Sequence, residues 1–121
     1  MATYDYKHVK NIALLGHAGC GKTTLAECML FDAGITKRRG NIAAKNTVSD
    51  YHELETERES SVFASLLHTT WKDYKINIID TPGYDDFAGE VISALKVADT
   101  GVMLLNAVMG VEICTDIIWD Y

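Results

Sequence analysis

Hydrophobic positions in this chain come in short dense runs separated by polar turns. From His8 to Gly16 the apolar residues Val9, Ile12, Ala13, Leu14 and Leu15 crowd together without alternation, the pattern of a strand buried on both faces. Lys22 to Ala33 carries Leu25, Cys28 and Met29 at helical spacing and stops before Gly34, a residue suited to close a helix. Ile35 to Ser60 loses this periodicity and fills with Lys, Arg, Asn, Thr, Asp and Glu, a long polar connection of the kind that tends to be functional. Its acidic piece Asp50 to Glu57 is compatible with a turn or two of helix. From Ser61 to Thr70, Val62, Ala64, Leu66 and His68 alternate with Phe63, Ser65 and Leu67; Tyr74 to Asp80 follows with Ile76, Ile78 and Ile79. With the turn Trp71-Lys72-Asp73 between them, these runs predict a β-hairpin. Thr81-Pro82-Gly83 ends the second strand, and Phe87, Val91, Ala94, Leu95 and Ala98 recur at helical spacing. Val102 to Ala107 predicts another buried strand. Val111 onward, with Ile113, Ile117 and Ile118, starts a helix with no stop signal before Tyr121, so the chain reads as truncated. Strands alternating with helices predict an α/β domain with a mostly parallel sheet, in which ligands bind beyond the carboxyl ends of the strands.

Two polar stretches lie at such ends. Gly16-His17-Ala18-Gly19-Cys20-Gly21-Lys22-Thr23-Thr24 has the spacing G-x-x-x-x-G-K-[ST] between a strand-like and a helix-like run, the context a P-loop requires. Glycines let the backbone curl until successive N–H groups point inward, and the following helix adds its positive end, so phosphates fit the cradle. Lys22 would reach the outer phosphates as a cation, and the Thr23 hydroxyl would supply Mg2+ with an oxygen ligand. At the second end, Asp80 closes an apolar strand, where P-loop enzymes hold Mg2+ through its water shell. In Asp80-Thr81-Pro82-Gly83 the proline sets one backbone angle and the glycine frees the next, so the Gly83 N–H can turn to a γ-phosphate oxygen and pass the nucleotide state to Tyr84 through Val97.

Composition narrows the class. The chain has 121 residues, enough for one domain, and 48% hydrophobic content supplies its core. A net charge of −6 speaks against a broad nucleic-acid-binding face, and the basic cluster Lys37-Arg38-Arg39 reads as a solvated loop. Cys20, Cys28 and Cys114 lack metal or disulfide spacing. Cys20, inside the P-loop, is read as a small residue that fits there in preference to a reactive thiol. His17 is expected to matter through its backbone, while His52 and His68 suit a surface or strand face. The polar stretch Met1 to Lys10 lacks an apolar core region, so no signal peptide is expected, and no apolar run approaches the roughly 20 residues that span a bilayer. A cytoplasmic protein with no membrane association is expected.

Asn11-Ile12 through Thr24, Asn77-Ile78-Ile79-Asp80-Thr81-Pro82-Gly83, and Asp86-Phe87 with Glu90-Val91 together resemble the opening of the GTPase domain of translation elongation factor G and its relatives, from about Val9 to Trp119. The resemblance implies a three-layer P-loop NTPase (G-domain) fold, GTP/GDP and Mg2+ as ligands, and the ribosome as partner and activating surface. It places the first switch at about 35–62 and the second at about 80–97. Nucleotide contacts fall on Gly16 to Thr24 and on Asp80, Thr81, Pro82, Gly83 and Tyr84; Mg2+ ligands on Thr23, Ser61 and Asp80; and catalysis on Lys22 and Tyr84.

Three departures from the family's pattern stand out. Tyr84 replaces the histidine that orients the attacking water, and a phenol does not offer imidazole's proton chemistry at neutral pH, although one branch of elongation factor G-like proteins resembles this chain in having Tyr. Arg58-Glu59-Ser60-Ser61-Val62 stands for Arg-Gly-Ile-Thr-Ile, which adds a negative charge at Glu59 and leaves Ser61 in the Mg2+-ligand position. Gly19 replaces an aspartate near the phosphates. The Asn-Lys-x-Asp motif that reads guanine does not occur in these residues, so guanine specificity comes from the resemblance. Three functions are open on this reading: a translational GTPase, a GTP-gated ribosome-binding factor with weak or no hydrolysis, and a P-loop ATPase or kinase, which Asp80-Thr81-Pro82-Gly83 disfavours. A sheet edge left open at Val102 to Ala107 predicts self-association.

Overall fold

The computed structural model describes residues 4–44, 46–49, 63–83 and 88–121. After a short 3-10 turn at Tyr6–His8 come β1 (Val9–Leu15), α1 (Lys22–Asp32), β2 (Ser65–Trp71), β3 (Tyr74–Asp80), α2 (Ala88–Leu95), β4 (Thr100–Met103) and α3 (Ile113–Trp119). The sheet order is β2-β3-β1-β4. β1 runs parallel to β3 and to β4, and β2 pairs antiparallel with β3.

β1 is central because it has apolar residues for both faces. Ala13 and Leu15 pack with Val91 and Ala94 of α2 and with Cys114 and Ile118 of α3. On the opposite face Leu14 packs with Ala26 and Leu30 of α1 and with Leu67 and Ile78. Among the described residues, two helices, a sheet and one helix make three layers, the mostly parallel α/β architecture expected from the alternation of runs.

Several boundaries differ from the sequence reading. Of the alternating sets in β2, Ser65, Leu67 and Thr69 point inward, and Leu66 stays 74% exposed. The register pairs Trp71 with Tyr74, so Trp71 belongs to the strand and the hairpin turns on Lys72-Asp73 alone. Lys72 takes a left-handed φ of 54° there. The expected buried strand Val102 to Ala107 is a correction: β4 starts at Thr100, ends at Met103, and is at best half-buried. The Asp99 N–H donates to the Asn11 carbonyl, drawing the chain alongside β1 before Val102. Asn106 then ends the run, its side-chain oxygen accepting the Val108 and Met109 N–H groups in a turn.

α1 ends as its glycine predicts. Gly34 has φ +73°. The Gly34 N–H donates to the Phe31 carbonyl and the Ile35 N–H to the Leu30 carbonyl, both at 2.9 Å, which is a Schellman closure. The expected helical turns at Asp50 to Glu57 and the start of the second-switch helix at Phe87 lie outside the described residues.

Candidate nucleotide site

Parallel register brings the two expected halves of the site together, because Leu14 of β1 lies beside Asp80 of β3. Each strand therefore hands its next residues to the same edge of the sheet. From β1 the chain enters the glycine loop, where Gly19 (φ +77°) and Gly21 (φ +97°) hold left-handed conformations that other residues rarely adopt. Gly21 is the N-cap of α1 and has no side chain to occupy the helix's first amides.

Lys22 is 6% exposed. Its ammonium donates to the Gly16 carbonyl at 2.8 Å and the His17 carbonyl at 2.9 Å, and lies 3.7 Å from the Cys20 sulfur. A buried ammonium needs such partners, since an unpaired charge in the interior is strongly disfavoured. Thr23 is likewise buried and donates from Oγ1 to Asp80 Oδ2 at 2.7 Å. Thr24 is exposed at the start of α1.

The second turn is tied to β1 and to the first turn at three points. Besides Thr23 and Asp80, the Thr81 hydroxyl donates to the Leu14 carbonyl at 2.6 Å, and the Ala18 N–H donates to the Gly83 carbonyl at 2.9 Å. Thr81, Pro82 and Gly83 are all buried. Gly83 is glycine for want of space: a Cβ there would lie 2.5 Å from both the Ala18 nitrogen and Lys22 Nζ. The His17 side chain turns away toward α3, its Nε2 3.5 Å from Glu112 Oε1.

Gly16 to Thr24 and Asp80 to Gly83 thus converge in one place, whereas Tyr84 and Ser61 lie outside the described residues. Thr23 and Asp80 present two hard oxygens within hydrogen-bond distance of each other, a donor pair whose chemistry suits Mg2+. One buried acid escaped the sequence reading. Glu27 is 1% exposed on α1 and accepts the Val48 N–H. The available signal was position: residues 23, 27 and 30 fall on one helical stripe, and an acid on a stripe that also carries Thr23 and Leu30 is unexpected on a solvent face. Glu90, in the first turn of α2, accepts the Ala64 N–H at 3.0 Å, linking that helix to the residue before β2.

Residues 7–121 match the family described as elongation factor Tu GTP binding domain. The chain belongs to that family. Ribosome-releasing factor 2, mitochondrial, of Candida albicans is 44% identical over 110 residues, covering 91% of this chain and 14% of the relative. The factor of the same name from Kluyveromyces lactis is 42% identical over 117 residues, 96% of this chain and 15% of the relative. A crystal structure of a Thermus thermophilus protein superposes with a TM-score of 0.90 at 34% identity, covering 93% of this chain and 17% of that one. The chain therefore spans about one seventh of the length of these yeast relatives. The resemblance to elongation factor G drawn from the P-loop and the Asp80 turn is borne out, and the GTP binding domain family makes guanine nucleotide the ligand class. No helix among the described residues is long and apolar enough to cross a membrane.

Proposed function

We propose that this chain is the N-terminal part of the G domain of an elongation factor G-like translational GTPase, with its P-loop at 16–24, its first switch at about 35–62 and its second at about 80–97. The observation that carries the reading is the joining of the two phosphate-facing turns through Thr23–Asp80 and Ala18–Gly83.

In this proposal the phosphates of GTP lie in the Gly16–Thr24 loop. An ammonium has three protons, and Lys22 gives two of them to strong carbonyl acceptors while the third faces the weak acceptor Cys20 Sγ. A β- or γ-phosphate oxygen would take that third proton in preference to sulfur and gain a buried charge-assisted bond. Thr23 would hold Mg2+ directly and Asp80 through water, with Ser61 as a further ligand. Bound Mg2+ would supply charge neutralisation on the phosphate oxygens. The Ala18 N–H, in the phosphate loop, donates to the Gly83 carbonyl here, so a phosphate oxygen that took this N–H would exchange a bond between the two turns for a ligand contact. Water would then attack the γ-phosphorus while its bond to the bridging oxygen breaks, releasing GDP and phosphate. Tyr84, next in the chain, is the residue proposed to orient that water.

The partner is the ribosome, a role supported by the relatives' name. Likeness to elongation factor G points to translocation; the name ribosome-releasing factor supports release of the ribosome as the second version of the step. Movement of messenger RNA against subunit splitting, followed on purified ribosomes, separates them. The compartment is one that contains ribosomes, and cell fractionation decides between the cytoplasm and the mitochondria that the relatives' names carry.

The deciding experiment is ribosome-stimulated GTP hydrolysis by the full-length protein beside Tyr84→His and Lys22→Ala. Turnover by the parent and none by Lys22→Ala is expected. Tyr84 and Glu59 favour the second reading, a GTP-gated ribosome-binding factor. That reading stands if the parent binds GTP and ribosomes yet is silent until histidine is restored, with a gain on the order of a hundredfold. Preference for ATP over GTP would sink both.

A further inference from the structure

The loop after α1 is held to that helix by one carboxylate. Glu27 is 1% exposed. Its Oε1 accepts the Val48 N–H, while its buried Oε2 has no hydrogen-bond partner among the described residues and lies against Gly40. A Cβ on Gly40 would fall on Oε2 and within 2.6 Å of Glu27 Cδ. Between these two points the loop is braced internally. The Asn41 N–H donates to Asn46 Oδ1 at 2.8 Å, the Asn46 N–H to the Asn41 carbonyl at 3.4 Å, and the Ala44 N–H to Asn41 Oδ1 at 3.3 Å. One residue past Val48, the buried Ser49 carbonyl accepts the Ser65 hydroxyl at 2.7 Å, tying the loop to β2.

A half-satisfied carboxylate is a poor way to fill an interior, because an apolar residue of similar size packs there without the desolvation cost. Its contribution is therefore to position. Glu27 follows Thr23 by four residues, so both lie on one face of α1. The loop it grips supplies Arg39, Gly40, Asn41, Ile42 and Ala43 to a cavity of about 560 Å3 that, among the described residues, Thr24 also lines. We propose that Glu27 is a positioning residue: it straps the braced loop onto α1, holds the cavity wall beside Thr24, and thereby slows nucleotide escape. The last clause rests on the nucleotide reading of the site; the strap itself does not.

The test uses the full-length protein with GDP as probe. Glu27→Ala should speed GDP dissociation by roughly tenfold and raise hydrogen exchange of the backbone around Val48, the size expected when a buried N–H loses a charged acceptor. Glu27→Gln keeps an acceptor for the Val48 N–H and should stay within about threefold of wild type. Gly40→Ala should reproduce Glu27→Ala alone, yet add no more than about twofold to it in the double variant, because the carboxylate it collides with is then gone and only the Thr47 Cα, at 3.1 Å, stays close. The proposal is overturned if Glu27→Ala leaves both exchange and dissociation within twofold of wild type. It is equally overturned if the two substitutions multiply, or if only the melting temperature moves, which marks a merely structural acid. Should wild type bind no GDP, the nucleotide reading fails, while exchange at Val48 still decides whether the strap exists.

Discussion

At the scale of single residues the site depends on groups whose alternatives cannot be accommodated. Lys22 is a buried point charge held by two carbonyls, and a planar guanidinium does not reproduce three tetrahedral protons. Lys22→Ala is expected to weaken GDP affinity by about a hundredfold or more, and Lys22→Arg not to restore it; titration with a fluorescent nucleotide on the full-length protein measures both. Thr23→Val keeps the shape and removes the hydroxyl that donates to Asp80. Its nucleotide affinity should become insensitive to Mg2+, falling roughly tenfold in the presence of the ion and little in chelator. A parent whose binding is already independent of Mg2+ would refute the assignment of Thr23 and Asp80 to the ion.

At the scale of elements, stability follows which face of each strand is covered. Ile78 in β3 is fully buried between Leu14 and the α1 side of the core, whereas Leu66 in β2 is 74% exposed. Ile78→Ala should cost about 2–5 kcal/mol in urea unfolding, and Leu66→Ala no more than about 0.5 kcal/mol. Equal losses would mean that β2 presents its other face to the core. Sequence pattern located β3 without error because its run is bounded by a turn at one end and by Asp80-Thr81-Pro82-Gly83 at the other. It misjudged β4, where the apolar residues continue into a turn that Asn106 makes by bonding two backbone amides. Hydrophobicity marks where burial is favourable, while the end of a strand is set by where its neighbour stops, and β1 offers β4 partners only from Ile12 to Leu15.

At the scale of the molecule, β4 is an edge strand in the described sheet. Beyond it Leu105, Val108, Met109, Val111, Ile113 and Trp119 are exposed, with Val108 90% accessible. An unpaired edge flanked by apolar surface is a template for another copy. The 121-residue chain on its own should therefore run larger than a monomer in light scattering, increasingly so with concentration; a monomer at every concentration counts against the open edge. The chain spans about one seventh of the length of its yeast relatives; in a protein of their length, further chain packed on this surface would make the effect vanish.

The chain by itself determined the features whose chemistry is local. Glycines with positive φ, a lysine and threonine at a helix start, and an aspartate followed by Thr-Pro-Gly declare their backbone geometry within a few residues, and the comparisons bear out the family they announced. Ser61, Tyr84 and the acidic piece Asp50 to Glu57 lie outside the described residues. Only the tertiary structure decided that Leu14 and Asp80 stand side by side, that Leu66 faces out while Thr69 faces in, and that Glu27 is buried against Gly40 and Val48. The physical reason is that burial and hydrogen-bond partnership belong to pairs of elements. Residue 27 follows Thr23 by one helical turn, but the loop that covers it arrives from some twenty residues further along the chain.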